Sequence, residues 1–430
     1  MLKINSSILG MNNIQDLNIK EEVLPIYDSS LNSFTRKKIL HLLETPLPTQ
    51  AHAVERQNIL KGFIHNKEVL KSYSYTVLYL NEVHYFLNNF KEEELNWKRF
   101  LFFGPTADEI LTHNKIHQLI LFFYRLESVS FSRLNLIHFP KSYRKDLNRI
   151  LSFLSFFELK KYEHIIREKQ LKTKHVKNML AKISVLKEEG RIECFWEDLF
   201  LFESYLSISK AVIDRGFVFP VLTEKSFVIN DFYHPLVENP VKNSFRAVNN
   251  VIVLNGPNMS GKSTFLKSVS LCIYLGNLGF GIPASDAEIP FCTDFSVGIN
   301  KRDDILNGYS HFMTEIINVK DVVLKAADGK RCFVVFDELF SGTNVEDALE
   351  ICTRTINGVS LYSNSYFLIS THIQELKDMT NDTVSTYYLD CELIDSVPTF
   401  TYKLKKGWSD IKVGRILFEK EGLNKLLRVG

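Results

Sequence analysis

Cysteine is scarce in this chain, six in 430 residues, and Cys194, Cys272, Cys292, Cys332, Cys352 and Cys391 form no CxxC pair and have no histidine at zinc-ligand spacing. A disulfide scaffold and a zinc module are therefore excluded, and the expectation is reduced core thiols in the cytoplasm. Long apolar runs are also missing. None approaches the ~18–20 residues that span a bilayer, so no membrane segment is expected. The start, MLKINSSILG, has neither the basic region nor the apolar stretch of a signal peptide. Net charge is small: 52 Lys and Arg against 50 Asp and Glu leave +2. Such a chain has no global field, and any contact with nucleic acid must come from a local patch. No repeat of fixed period is visible. What the chain does have is 45% apolar residues, enough for ordinary packed cores in two or three domains.

From about Asp16 to Phe217 glycine and proline are few, and Leu, Ile, Phe, Lys and Glu recur at helical spacing, as in Ile39, Leu42 and Leu43 or Leu199, Phe202 and Leu206. Pro46 and Pro48 interrupt this helical half, and Pro105 marks a loop that Thr106 ends as a helix cap. Near Gly216 the texture changes to β-branched and aromatic residues, FVFPVLTEKSFVINDFYHPLV. The reading is a helical domain over 1–221 and an α/β domain over 222–430. Short apolar strands are expected at Val251–Leu254, Cys332–Phe336 and Tyr366–Ser370, with an antiparallel edge from Thr386–Leu389 and Thr399–Leu404. Strands alternating with helices imply a mostly parallel sheet covered on both faces.

The most informative stretch is VIVLNGPNMSGKST, Val251–Thr264. An apolar strand runs into a turn carrying Gly256, the four residues Pro257, Asn258, Met259 and Ser260, then Gly261, Lys262, Ser263 and Thr264, and an amphipathic run follows. This spacing is that of a phosphate-binding loop. Backbone N–H groups at a helix N-terminus make a concave anion site, and only glycine lets the chain wrap so tightly. Lys262 is expected on the β- and γ-phosphates of ATP and Ser263 on Mg2+.

The strand CFVVF delivers Asp337 and Glu338 at its carboxyl end, where open α/β sheets bind ligands. Asp337 is the expected second metal-side residue, and Glu338 the group that polarises an attacking water. The strand YFLIS ends in Thr371 and His372, and His372 is placed to sense the γ-phosphate.

Between Lys141 and Arg191 stand 14 Lys and Arg against 6 Asp and Glu, a local net charge of +8. Two readings stand side by side. The side chains gather into a patch that neutralises DNA phosphates, or they form a solvated surface whose stems cover apolar residues. The tripeptide Phe195-Trp196-Glu197 lies in an amphipathic helical run and reads as packing.

GPNMSGKST, GYSHFMTE (Gly308–Glu315), VVFDELFSGTNVEDA (Val334–Ala348) and STH (Ser370–His372) together resemble the ATPase domain of the MutS family, a branch of the ABC-type ATPases. KLKKGWSDIKVGRILFEKEGL (Lys403–Leu423) is similar to the family's closing segment, and RKKILHLLETPLPTQAHAVERQNILKGFI (Arg36–Ile64) to the start of its helical core. The resemblance implies a helical core and lever, with the clamp reduced or absent, followed by an ABC-type P-loop ATPase domain. It also implies a head-to-tail homodimer in which each nucleotide is closed by a loop of the other subunit. Ser310 would be offered in trans to the partner's γ-phosphate, Asn344 and Asp347 would lie at the seam, and Val241 would pack on adenine where the family often has an aromatic. Tyr309 and His311 stand where Arg and Thr are commoner. No mismatch-reading domain with its Phe-x-Glu wedge is expected.

The function so implied is Mg-dependent ATP hydrolysis coupled to DNA binding in repair or recombination, with repair proteins as further partners. An ABC-like switch acting on a protein partner is the alternative, and a transporter ATPase a poorer third reading.

Overall fold

The computed structural model describes residues 14–91, 107–224, 226–299, 311–379, 383–394, 397–409, 411 and 413–427. It falls into two compact units. One comprises Tyr27–His41 and Gln57–Asp214; the other comprises Met1–Ile26, Leu42–Arg56 and Arg215–Gly430. The cut in the chain near 221 and the grouping by packing are thus different divisions, because Leu42–Arg56 is bonded into the unit that holds the sheets. Tyr274 Oη donates to the Leu43 carbonyl at 2.7 Å and Arg56 Nη1 to the Leu278 carbonyl at 2.9 Å. The left-handed Gly279, φ 77°, lets the chain pass so close to Ala53 that a Cβ would stand 2.5 Å from its carbonyl oxygen.

The first unit is built from helices. α1 (Ser33–Glu44) and α2 (Gln50–His65) enter it, followed by α3 (Val77–Asn89), α4 (Ala107–Arg125), α5 (Lys141–Phe156), α6 (Leu159–Arg167), α7 (Thr173–Glu188) and the long α8 (Arg191–Arg215). α8 buries residues around most of its circumference, among them Ile192, Phe195, Leu199, Phe202, Tyr205 and Ile208, as befits a central helix. Phe195 stacks on Phe153 with centroids 4.1 Å apart, and Trp196 stacks on Phe200 at 5.7 Å. The Phe-Trp-Glu tripeptide therefore lies in the aromatic core, with only Glu197 outside, paired to Lys38 at 2.6 Å. Truncating Phe195 there would cost about 3–5 kcal/mol.

Among the described residues the second unit carries ten strands in two sheets. They are β1 (Val221–Thr223), β2 (Val228–Phe232), β3 (Asn243–Arg246), β4 (Val251–Asn255), β5 (Asp286–Pro290), β6 (Asp294–Gly298), β7 (Cys332–Phe336), β8 (Tyr366–Ser370), β9 (Val384–Ile394) and β10 (Val397–Lys406). A small sheet has the order β1-β5-β2-β3, and the main sheet has the order β10-β9-β4-β8-β7-β6. In the main sheet β9, β4, β8, β7 and β6 run parallel, and only β10 is antiparallel. This is the mostly parallel sheet with one antiparallel edge that the sequence implied. Every residue of β4, β7 and β8 is buried, which is why VIVLN, CFVVF and YFLIS read as unbroken apolar runs rather than alternating ones. Between the strands lie α9 (Lys262–Asn277), α10 (His311–Ala327) and α11 (Val345–Val359). The spatial order β4-β8-β7 has one consequence for the site: the end of β8 lies between the loop after β4 and the acidic pair after β7.

All six cysteines are free thiols; five are buried and Cys194 is exposed. Burial raises the buried thiols, Cys352 to about 12 and Cys332 to about 11, so they are packing groups rather than nucleophiles. No described helix is long and apolar enough to cross a membrane.

Candidate functional site

β4 ends in Asn255, a fully buried amide whose Nδ2 donates to the carbonyls of Tyr387 at 2.9 Å and Gly407 at 3.1 Å, while its Oδ1 accepts from Ser409 N at 2.8 Å. Those bonds fix where the following loop starts. The loop turns through Gly256 at φ 136°, Met259 at φ 69° and Gly261 at φ 94°. A Cβ on Gly261 would meet Tyr402 Cδ1 at 3.1 Å, so this position needs glycine for both backbone and space. α9 begins at Lys262, and its first N–H groups, which have no intrahelical acceptor, face the loop.

Lys262 is only 6% exposed. Its ammonium curls back over the loop, donating to the carbonyls of Gly256 at 2.9 Å and Pro257 at 3.1 Å and to Asn258 Oδ1 at 3.5 Å. Burial pulls its pKa below the ordinary lysine value, against the opposing pull of Glu338 and Asp337. The Ser260 hydroxyl is buried with no hydrogen-bond partner among the described residues. A buried, unpaired hydroxyl beside a cation and a row of helix N–H groups is what a polyanion site presents.

Ser263 Oγ donates to Asp337 Oδ2 at 2.5 Å. Ser370, the last residue of β8, donates its hydroxyl to Asp337 Oδ1. The same Ser370 oxygen accepts from the Glu338 N–H at 2.7 Å. Asp337 and Glu338 are thereby tied to the loop from one side and to β8 from the other. Glu338 has left-handed backbone, φ 53°, as does Phe340, φ 58°. The oxygen set of a serine hydroxyl and an aspartate fits a hard cation such as Mg2+, which takes one or two protein oxygens and keeps several waters.

Beside the loop is a cavity of about 380 Å3, lined by Phe232, His234, Val241, Thr264, Phe265 and Tyr402 among others. Burial lowers the His234 pKa below its ordinary value, which favours the neutral imidazole at pH 7. Val241 lines this cavity and is 36% exposed. His372 stands two residues past β8 with an exposed side chain. Asn344 caps α11, its Oδ1 accepting from Asp347 N at 2.8 Å. Ser310 and Tyr309 lie outside the described residues, as does the His311 side chain.

The structure therefore brings together Gly256–Thr264, Asp337 and Glu338, puts Val241 at the neighbouring cavity, and leaves His372 at the sheet end with no described bond to them. Sequence reasoning quoted Ser370 only as part of the STH motif and gave no role to Ser370, Tyr402 or His234. Ser370 closes a strand whose neighbour carries the acidic pair, and that adjacency is a property of strand order. Tyr402 sits 141 positions after Gly261 and meets it only through the β9–β10 hairpin.

Residues 252–423 match the family model described as MutS domain V. Over 228 aligned residues the chain is 28% identical to the DNA mismatch repair protein MutS of Bacillus cytotoxicus. That alignment covers 50% of this chain and 25% of the relative. The same figures hold for the DNA mismatch repair protein MutS of Bacillus thuringiensis and of Bacillus mycoides. The chain thus spans a quarter of the length of the curated relatives it matches. The loop, the acidic pair, β7, β8 and all of β4 but Val251 fall within the segment that is similar to MutS domain V.

Proposed function

We propose that the chain is a Mg-dependent ATPase of the MutS type, acting in the cytoplasm as a homodimer and coupling nucleotide state to DNA held by its helical half. The domain division proposed with it is functional: residues 1–221 as core and lever, 222–430 as ATPase. The single observation that carries the reading is the Ser263–Asp337–Ser370–Glu338 hydrogen-bond chain across β4, β8 and β7, built against the Lys262 loop.

In this reading the loop N–H groups and Ser260 hold the phosphates, and Lys262 exchanges its two carbonyl acceptors for β- and γ-phosphate oxygens. Ser263 and Asp337 would hold Mg2+, which when bound would draw charge off the phosphate oxygens. Glu338 would orient the attacking water and take its proton, and His372 would approach the γ-phosphate side. Val241 and Tyr402 would flank the base in the cavity beside Gly261. Ser310 of one subunit would complete the pocket of the other, with Asn344 and Asp347 near the seam.

Calorimetry with Mg2+ and a non-hydrolysable ATP analogue tests the core of this. The protein should release heat on binding and Lys262→Ala should not, because the γ-phosphate loses its charge partner. Saturation at 100 times Kd should also raise stability by about 2.7 kcal/mol in the parent and not in the variant. Absence of heat in the parent would end the reading.

A second reading, a switch that acts on a protein partner instead of DNA, is favoured by the local use of the basic stretch. Arg149 is held by Asp198 at 2.7 Å and Asp146 at 2.9 Å, Lys182 by Glu158 at 2.7 Å and Lys161 by Glu158 at 3.1 Å. Arg144 and Lys187 donate to backbone carbonyls. Those carboxylates and carbonyls neutralise or occupy cations that would otherwise meet phosphates. Lys141, Lys145, Lys160, Lys172, Lys174 and Lys177 remain exposed, and DNA binding under the first reading rests on side chains of this kind.

A further inference from the structure

α10 begins one residue after Ser310 and packs its first turns on the segment that follows Glu338. Glu315 on that helix is only 9% exposed. Its Oε2 accepts the backbone N–H of Phe340 at 3.0 Å in a buried bond. Phe312, one turn earlier, lies edge-on to Phe340 with centroids 6.0 Å apart, and its Cβ is 3.4 Å from where a Cβ on Gly342 would be. The segment so gripped is the one with left-handed backbone at both Glu338 and Phe340. A non-glycine residue in that region is disfavoured and persists only when its surroundings hold it. Two anchors do so here: the Ser370 hydroxyl accepts the Glu338 N–H from one side, and Glu315 accepts the Phe340 N–H from the other. At its far end α10 is fixed as well, since Lys325 bonds Asp294 on β6 at 3.0 Å.

We infer that Glu315 is a positioning residue for hydrolysis: by holding the Phe340 peptide it sets the backbone that aims the Glu338 carboxylate, and it links that aim to the helix that follows Ser310 in the chain. The inference rests on the ATPase reading above. A side-chain carboxyl oxygen is suited to the task because a buried backbone N–H left without an acceptor bears the full cost of its desolvation. The loop itself is held by other groups: Lys262 bonds Gly256, Pro257 and Asn258, and Ser263 bonds Asp337. Loss of the Glu315 carboxylate should therefore act on turnover and spare nucleotide affinity.

The test compares the parent with Glu315→Ala, Glu315→Asp and Glu315→Gln. Steady-state ATP hydrolysis is read for kcat, and a fluorescent non-hydrolysable ATP analogue with Mg2+ for Kd. Ala and Asp, which remove or withdraw the acceptor, should lower kcat by about 10- to 100-fold, the scale of a catalytic group displaced by about 1 Å, with Kd within about twofold. Gln keeps an oxygen at the same reach and should recover most of the rate. If Ala fails to fold, Asp and Gln carry the comparison. Unchanged kcat in Asp, or a loss of Kd equal to the loss of kcat, would overturn the inference. No turnover in the parent would instead remove the ATPase reading on which it stands.

Discussion

Glu203 shows how much a single residue can hide in a helical sequence. It lies in α8, where sequence reasoning gave it no role, and it is 5% exposed. It accepts from Tyr73 Oη at 2.6 Å, from Asn32 Nδ2 at 2.7 Å and from the Thr35 hydroxyl. Nothing local to α8 announces this, because the donors come from residues about 130 to 170 positions away in the chain. Burial raises its pKa above the ordinary value, and the hydrogen bonds from Thr35, Tyr73, Tyr75 and Asn32 oppose the rise without cancelling it. The folded state thus keeps the proton to higher pH than the unfolded chain, whose glutamates titrate near 4.3. The contribution to stability is full below about 4.3 and is lost as pH rises through the raised folded value. Glu203→Gln cannot ionise and should remove that dependence. Urea midpoints measured from pH 4.5 to 8 should show the parent gaining on the variant as pH falls, and parallel curves would contradict the account.

At the scale of elements, the parallel core was legible because β4, β7 and β8 are buried along their whole length and so carry continuous apolar runs. The phosphate loop was legible because its glycines, lysine and serine are contiguous. Ser370 and Glu315 were not, since their roles depend on β8 lying between β4 and β7 and on α10 crossing the end of β7. The grouping of Leu42–Arg56 with the sheets escaped for the same reason: its evidence is the tertiary bonds from Tyr274 and Arg56. The end of β7 also makes the sharpest element-scale prediction. Glu338 holds its backbone through Ser370, whereas Asp337 holds Ser263. Glu338→Gln preserves the first bond, made by the main chain, and leaves the Asp337–Ser263 pair untouched. Nucleotide affinity should remain within about twofold, while hydrolysis falls by about 10²–10⁴-fold, the span of a lost general base. With ATP and Mg2+ the variant should accumulate as a dimer in light scattering. Parent-like turnover would take Glu338 out of the mechanism, and a single-particle mass at every concentration would remove the pairing alone.

For the whole molecule the open choice is between DNA and a protein as the load on the helical half, and charge decides it. Net charge of +2 supplies no long-range attraction, so binding to a duplex must come from side chains that are exposed and close together. Lys172 and Lys174 open α7, with Lys177 one turn on. Lys172 and Lys174 are exposed, and so is Lys177. Acidic replacements at a helix start favour the helix dipole, so Lys172→Glu, Lys174→Glu and Lys177→Glu together should not unfold the helix. If these lysines meet phosphates, fluorescence anisotropy on duplex, mismatched and branched DNA should show a steep fall of log K with log salt. The triple variant should flatten that slope by roughly 3, at about 0.9 for each phosphate that is no longer neutralised. The fall should be uniform across the three DNA forms, because backbone contacts position a protein without reading sequence. A parent that binds no DNA with or without nucleotide, or a triple variant with the parent's slope, would move the load to a protein partner and make the basic stretch an ordinary helix surface.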